Sequence, residues 1–174
     1  MFRSALAGIV VLLPGCSRQV PAYPPPAQYV AAADAGTASE VRLLRMNDPD
    51  AVYSILDGVL GPGSGDESKW TTDHARFEFR VHSLANTDLY MRYSVHSGTF
   101  KETGPLTITI KANGRLFDSF VKAEPGDYEY RRPAGGITGD VIQIDVTVNP
   151  PYIAPADKQK LGILLSTIGF VPRR

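Results

Sequence analysis

The sequence predicts an all-β chain: an antiparallel two-sheet β-sandwich of eight or nine strands over residues 40–174. Three observations carry this. Apolar residues alternate with polar ones at a period of two through most of the chain after Glu40. Gly, Pro, Asn and Asp clusters interrupt the alternation at short intervals, as turns do. No stretch sustains a 3.6-residue period with caps over three turns. One-sided alternation gives each sheet a buried face and a wet face, which antiparallel sheets allow, and two such faces bury each other. Roughly 130 residues cover about two-thirds of their unfolded surface on folding, enough without disulfides.

The strands follow in order. Short candidates lie at 41–46 and 51–56. Phe77, Phe79 and Val81 then alternate with Arg76, Glu78, Arg80 and His82. Leu89, Met91, Tyr93 and Val95 alternate with Tyr90, Arg92, Ser94 and His96. If these two runs are neighbours, both odd-numbered sets face the core, and paired positions must sum to an even number. A sum of 172 sets Arg80 against Arg92. A sum of 170 pairs His82 with Asp88, Arg80 with Tyr90 and Glu78 with Arg92, each favourable, so the second register is expected. Leu106, Ile108 and Ile110 alternate with Thr107 and Thr109, and Asn113-Gly114 then supplies a two-residue hairpin turn. Residues 116–122 and 128–131 are further candidates. Ile142, Ile144, Val146 and Val148 alternate with Gln143, Asp145 and Thr147, and 161–170 closes the set.

The first 39 residues differ in kind. Arg3 is a basic n-region, Ala5 to Leu13 an apolar segment too short to remain as a spanning helix, and Gly15 precedes Cys16, the single cysteine. Leu13-Pro14-Gly15-Cys16 resembles the lipobox of bacterial lipoproteins, with Pro14 where a small or β-branched residue is usual. That resemblance implies a signal peptide over 1–15, lipidation of Cys16, and an exported, lipid-anchored protein. Ser17 then resembles an outer-membrane sorting residue where the host has two membranes. The alternative is a free thiol at the end of an ordinary signal peptide, or in a buried helix. Residues 16–39 are rich in Pro and Ala, with polyproline geometry favoured at Pro24, Pro25 and Pro26, and read as a disordered tether.

Charge and motifs exclude more than they assign. The 18 basic and 18 acidic residues balance; loss of residues 1–15 removes Arg3, leaving 17 against 18. With no basic run, nucleic acid is not an expected partner. One cysteine forms no internal disulfide and no zinc or redox motif, so no cofactor is expected. Gly61-Pro62-Gly63-Ser64-Gly65-Asp66 lacks the Lys-Ser/Thr ending of a phosphate loop. The histidines His74, His82 and His96 have no ligand spacing, although His82 and His96 share an expected face. No Asp-rich calcium loop and no paired carboxylates emerge. Aromatics are more informative: Tyr90 beside Arg92 and His96, with Tyr128 and Tyr130, can stack on sugar rings while the polar groups bind hydroxyls. They are the candidate ligand-binding residues; packing within the sheet is the competing role.

A Gly-rich approach from Gly58 to Trp70-Thr71 leads into the strand 75–79. With Asn113-Gly114, the run from Glu124 to Tyr128, the run from Gly139 to Ile144 and the terminal 161–170, it resembles carbohydrate-binding-module-like, jelly-roll β-sandwiches. Such domains accompany bacterial glycosyltransferases or stand alone in exported proteins. The resemblance spans about residues 50–170 and implies that Trp70 is structural, buried where the sheet begins. The module is expected to stand without a glycosyltransferase domain. The expectation is a membrane-tethered, non-catalytic module that binds glycan or a glycosylated envelope component. An assembly lipoprotein binding another envelope protein is the alternative, and a small hydrolase the third.

Overall fold

The computed structural model describes residues 42–61 and 66–174. The leader, Cys16, the linker and residues 62–65 of the Gly-rich loop lie outside the described residues. The alternating runs become strands β1 (Leu43–Arg45), β2 (Ile55–Val59), β3 (Lys69–Arg80), β4 (Thr87–Val95), β5 (Leu106–Ala112) and β6 (Arg115–Lys122). They continue as β7 (Gly126–Pro133), β8 (Val141–Asn149), β9 (Tyr152–Ile153), β10 (Lys160–Leu161) and β11 (Leu164–Pro172). One short helix, α1 (Ser97–Thr103), follows β4, its N-terminus capped by His96 Nδ1 accepting from Gly98 N at 3.1 Å. The 51–56 region is not one strand. Pro49 and Asp50 start a 3-10 turn over Pro49–Tyr53, with Asp48 accepting from Asp50 N, and β2 begins only at Ile55.

Two separate sheets were expected; nine strands instead form one antiparallel sheet curled into a half-barrel. Its order is β6-β5-β8-β3-β11-β4-β7, with β2 on β3 and β1 on β11, while β9 and β10 pair on their own. The continuity comes from β3, which is twelve residues long. Its His74–Arg80 stretch pairs with β8, whereas Lys69 and Trp70 pair with Leu165 and Leu164 of β11. One arm is therefore β6-β5-β8-β3-β2 and the other β1-β11-β4-β7. Both contribute to a single apolar core containing Phe77, Phe79, Met91, Tyr93, Ile108, Ile144 and Phe170. Phe79 and Phe170 meet edge to face across it, with centroids 5.4 Å apart.

The inward sets read from the alternation are buried, but the register assumed between 76–82 and 88–96 is not present. β3 and β4 lie in different arms, and β4 pairs with β11 and β7. The complementary neighbours come from β7 instead: Tyr90 lies opposite Arg131, and Arg92 opposite Glu129. Alternation reports which face is buried; it does not report which strand supplies the backbone partner. The Asn113-Gly114 turn forms as read, joining Ala112 to Arg115 with both turn residues at positive φ, 50° and 76°. At Gly169, φ is 148° and a Cβ would stand 2.2 Å from the carbonyl oxygen of Arg42, so only glycine lets β1 dock on β11.

The two ends of the sheet path, β6 and β7, are consecutive in the chain and approach each other without a hydrogen-bond ladder. Side chains close the gap. Asp118 of β6 forms an ion pair with Arg132 and accepts from Tyr130 Oη at 2.8 Å. Phe120 stacks on Tyr130 at 5.0 Å, and Lys122 Nζ stands 4.0 Å from the Tyr128 ring centroid. Burial opposes ionisation of Asp118, but hydrogen bonds from Arg132, Tyr130 and the Ser119 N–H outweigh it and hold its carboxyl below the usual value. Next to this seam, Tyr93 stacks on Tyr128 at 5.6 Å. Among the described residues its hydroxyl is the buried side-chain polar atom without a hydrogen-bond partner.

Two outcomes are expected. A carboxylate with a lowered folded pKa adds stability above its unfolded value, about 3.9, and loses it as pH falls through the folded value. Asp118→Asn should therefore lower Tm at neutral pH and flatten the acid limb of Tm against pH below about pH 4; an acid limb identical to the parent's excludes the seam carboxylate. Tyr93→Phe removes an unsatisfied buried hydroxyl, whose retention costs about 1–3 kcal/mol. Its Tm should equal or exceed the parent's, and a clear loss would reveal a partner for that hydroxyl.

Candidate functional site

β4 presents Tyr90, Arg92 and Ser94 to the outer face of its arm, because its odd-numbered residues are in the core. Pairing then builds rows across the four strands. Arg45, Thr167, Arg92 and Glu129 make one row, from β1 through β11 and β4 to β7. Trp70, Leu164, Ser94 and Asp127 make another, from β3 to β7. Between these rows β11 carries an irregularity at Ser166: Leu165 pairs with Tyr93 and Thr167 with Arg92, leaving Ser166 opposite no residue of β4. A bulge of this kind spreads the ladder and re-aims side chains. Here it opens a cleft of about 390 Å³ lined by Arg45, Asn47, Glu67, Ser68, Arg92, Ser94, Asp127, Ser166 and Thr167.

The cleft is polar and charge-balanced, with Arg45 and Arg92 against Glu67 and Asp127. Ser68 and Ser166 hydroxyls bond each other at 2.8 Å, and Ser94 Oγ donates to Asp127 Oδ1. Tyr90 borders this row from the next. Its hydroxyl donates to Glu129 Oε1 at 3.1 Å, and the Arg131 guanidinium lies 5.6 Å from its ring centroid. Burial, then the hydrogen bond to Glu129 and its charge, raise the Tyr90 hydroxyl above its ordinary pKa, against Arg92 and Arg131. Tyr90 thus stays a neutral hydroxyl on a half-exposed ring, held by its neighbours in one orientation.

Of the five candidate ligand-binding residues, Tyr90, Arg92 and His96 lie along one outer strip of β4 and its extension. Tyr128 and Tyr130 do not join them. Opposite Tyr93 and Met91 in the ladder, they face inward and form the seam. His82 and His96, expected on a shared face, precede and follow the nine residues of β4 and are separated by its length. Sequence reading missed Arg45, Asn47, Ser166, Thr167 and Asp127. Thr167 sits after a bulge that no periodicity announces, while Ser94 and Asp127 carried a legible polar alternation. Among the described residues no group of three or more His, Cys, Asp or Glu could hold a metal ion. A second cavity, about 380 Å³, lies at the β5–β6 turn. Its Asn113 amide already bonds Thr138 O and Gln143 N.

No protein-family model matches this chain, and no curated protein sequence matches it. Solved structures with partial similarity include a family GH115 4-O-methyl-α-glucuronidase with specificity for decorated arabinogalactans, at 10% identity and TM-score 0.46. Others are an acetyl xylan esterase from Butyrivibrio proteoclasticus, at 7% and 0.44, and latent PorU from Porphyromonas gingivalis, at 10% and 0.42. The matches cover 78%, 78% and 75% of this chain but 18%, 34% and 12% of those chains. Overlap of this extent carries no functional argument.

Trp70 is not the buried core residue expected. It is half-buried on the outer face, outside the core cluster, with its ring edge-on to His96 at 5.8 Å. Trp70→Ala should accordingly cost about 1–2 kcal/mol, the fraction of full burial it surrenders. Chemical denaturation checks this: a loss of about 3–5 kcal/mol would restore the core role.

Proposed function

We propose that this half-barrel β domain is a non-catalytic, carbohydrate-binding-module-like unit that binds a neutral glycan, or a glycosylated envelope component, on the outer face of the β1-β11-β4-β7 arm. The reading includes a lipid on Cys16 as its attachment to a membrane, with residues 16–39 as the tether. Among the described residues no helix is long and apolar enough to cross a membrane.

The observation that supports this reading is the charge-balanced polar cleft around Arg92. Its volume falls within the ~300–1,000 Å³ usual for small-ligand sites. Two arginines offset by two carboxylates leave little net field to select an anion, and favour a ligand that both donates and accepts. Sugar hydroxyls do both. Arg92 supplies donors, Asp127 and Glu67 accept, and Ser166, Thr167 and Asn47 do either. Tyr90 lies two residues before Arg92 on the same outer strip, its hydroxyl on Glu129 and the Arg131 guanidinium 5.6 Å from its ring centroid.

A glycan array probed with the full chain tests the reading, followed by calorimetry on the best binder. Arg92→Ala should weaken binding about tenfold or more, the equivalent of one charged hydrogen bond, with Tm little changed. Tyr128→Ala should lower Tm by opening the seam. An array with no specific binder sets the glycan reading aside in favour of an envelope-protein partner, sought by pull-down from membrane extracts.

A further inference from the structure

The polar cleft does not end at Ser94 and Asp127. Both residues also line a second, more open depression of about 400 Å³, whose other walls are Val95, His96, Ser97, Pro125, Gly126 and Leu164. The two hollows therefore share Ser94 and Asp127, whose side chains are hydrogen-bonded to each other. The second hollow differs in chemistry from the first: its walls are largely apolar carbon, with His96 and Ser97 as polar groups. Trp70 stands behind it, opposite Leu164 in the ladder and edge-on to His96. From Arg92 in the first hollow to His96 in the second is four extended residues, about 13 Å, a span longer than one sugar ring.

We infer that the two hollows form one continuous groove for a linear oligosaccharide, with a polar subsite at Arg92 and an apolar subsite at His96 and Leu164. The inference rests on the glycan reading and names the length class of its ligand. A sugar unit has an apolar C–H face and a hydroxyl rim, so successive units of a chain can satisfy unlike subsites by presenting different sides. A charged or purely apolar chain fits one hollow only. Ser94 and Asp127 contact the ligand where it passes between subsites, their mutual hydrogen bond holding the carboxylate toward the junction.

Cello-, xylo-, chito- and galacto-oligosaccharide ladders, disaccharide to hexasaccharide, titrated against the full chain, decide the point. The expected result is affinity rising at least about tenfold with length and then reaching a plateau. Ser97→Trp, an exposed position filling the second hollow, should bring the longest ligand down to the affinity of the disaccharide and leave the disaccharide unchanged. Arg92→Ala should weaken every length alike. Affinity independent of length in the parent overturns the two-subsite groove while leaving glycan binding intact. So does a length dependence that persists in a folded Ser97→Trp chain. Failure of every ladder to bind overturns the glycan reading and the groove together. Should Ser97→Trp not fold, the ladder on the parent decides alone.

Discussion

The structure depends on one strand serving two arms. β3 continues past the point where β8 and β2 engage it, and its first two residues join β11 through Trp70 and Lys69. Backbone donors and acceptors that would lie at a cut edge are thereby paired, and the sheet turns the corner without ending. Curling brings the alternating apolar faces of both arms onto one core, where Phe79 meets Phe170. The same corner leaves Trp70 and Leu164 on the outside, next to the end of β4. The core and the candidate groove are thus opposite consequences of a single junction.

A half-barrel has two free ends, and these are treated differently from the corner. β6 and β7 are linked by a short turn, so they meet at a small loop-closure cost, yet they close through side chains rather than a ladder. Asp118, Arg132, Tyr130, Phe120, Lys122 and Tyr128 form that closure. It accounts for the aromatic content of β7. Tyrosines whose sequence setting suits a sugar platform are held at the seam, with hydroxyls bonded to Asp118 and to the Glu124 carbonyl. Rings in this position extend the core to its margin and keep water out of the open side.

The groove shows how a small irregularity makes a site from a flat face. Regular ladders present rows too close for a ligand to enter between side chains. The extra residue at Ser166 separates the Arg45–Thr167–Arg92–Glu129 row from the Trp70–Leu164–Ser94–Asp127 row. The resulting gap is lined by polar side chains from five separate segments. Its charge balance mirrors that of the whole chain, which carries equal numbers of acidic and basic groups.

Alternation, turn residues and composition by themselves determined that the chain is β-rich, which residues face inward, and where the Asn113-Gly114 hairpin turns. These are local properties: a period of two assigns each side chain to a face whatever strand lies beside it. Only the tertiary structure decided that β4 pairs with β7 and β11, that Tyr128 and Tyr130 join the β6–β7 seam rather than the strip of Tyr90 and Arg92, and that Trp70 lies outside the core. Each of these depends on the partner strand and its register, set by contacts between residues far apart in sequence. Tyr90 sits between Leu89 and Met91 and Tyr128 between Asp127 and Glu129, so alternation sets them on opposite faces, while the ladder that places Tyr128 opposite buried Tyr93 fixes what its ring packs against.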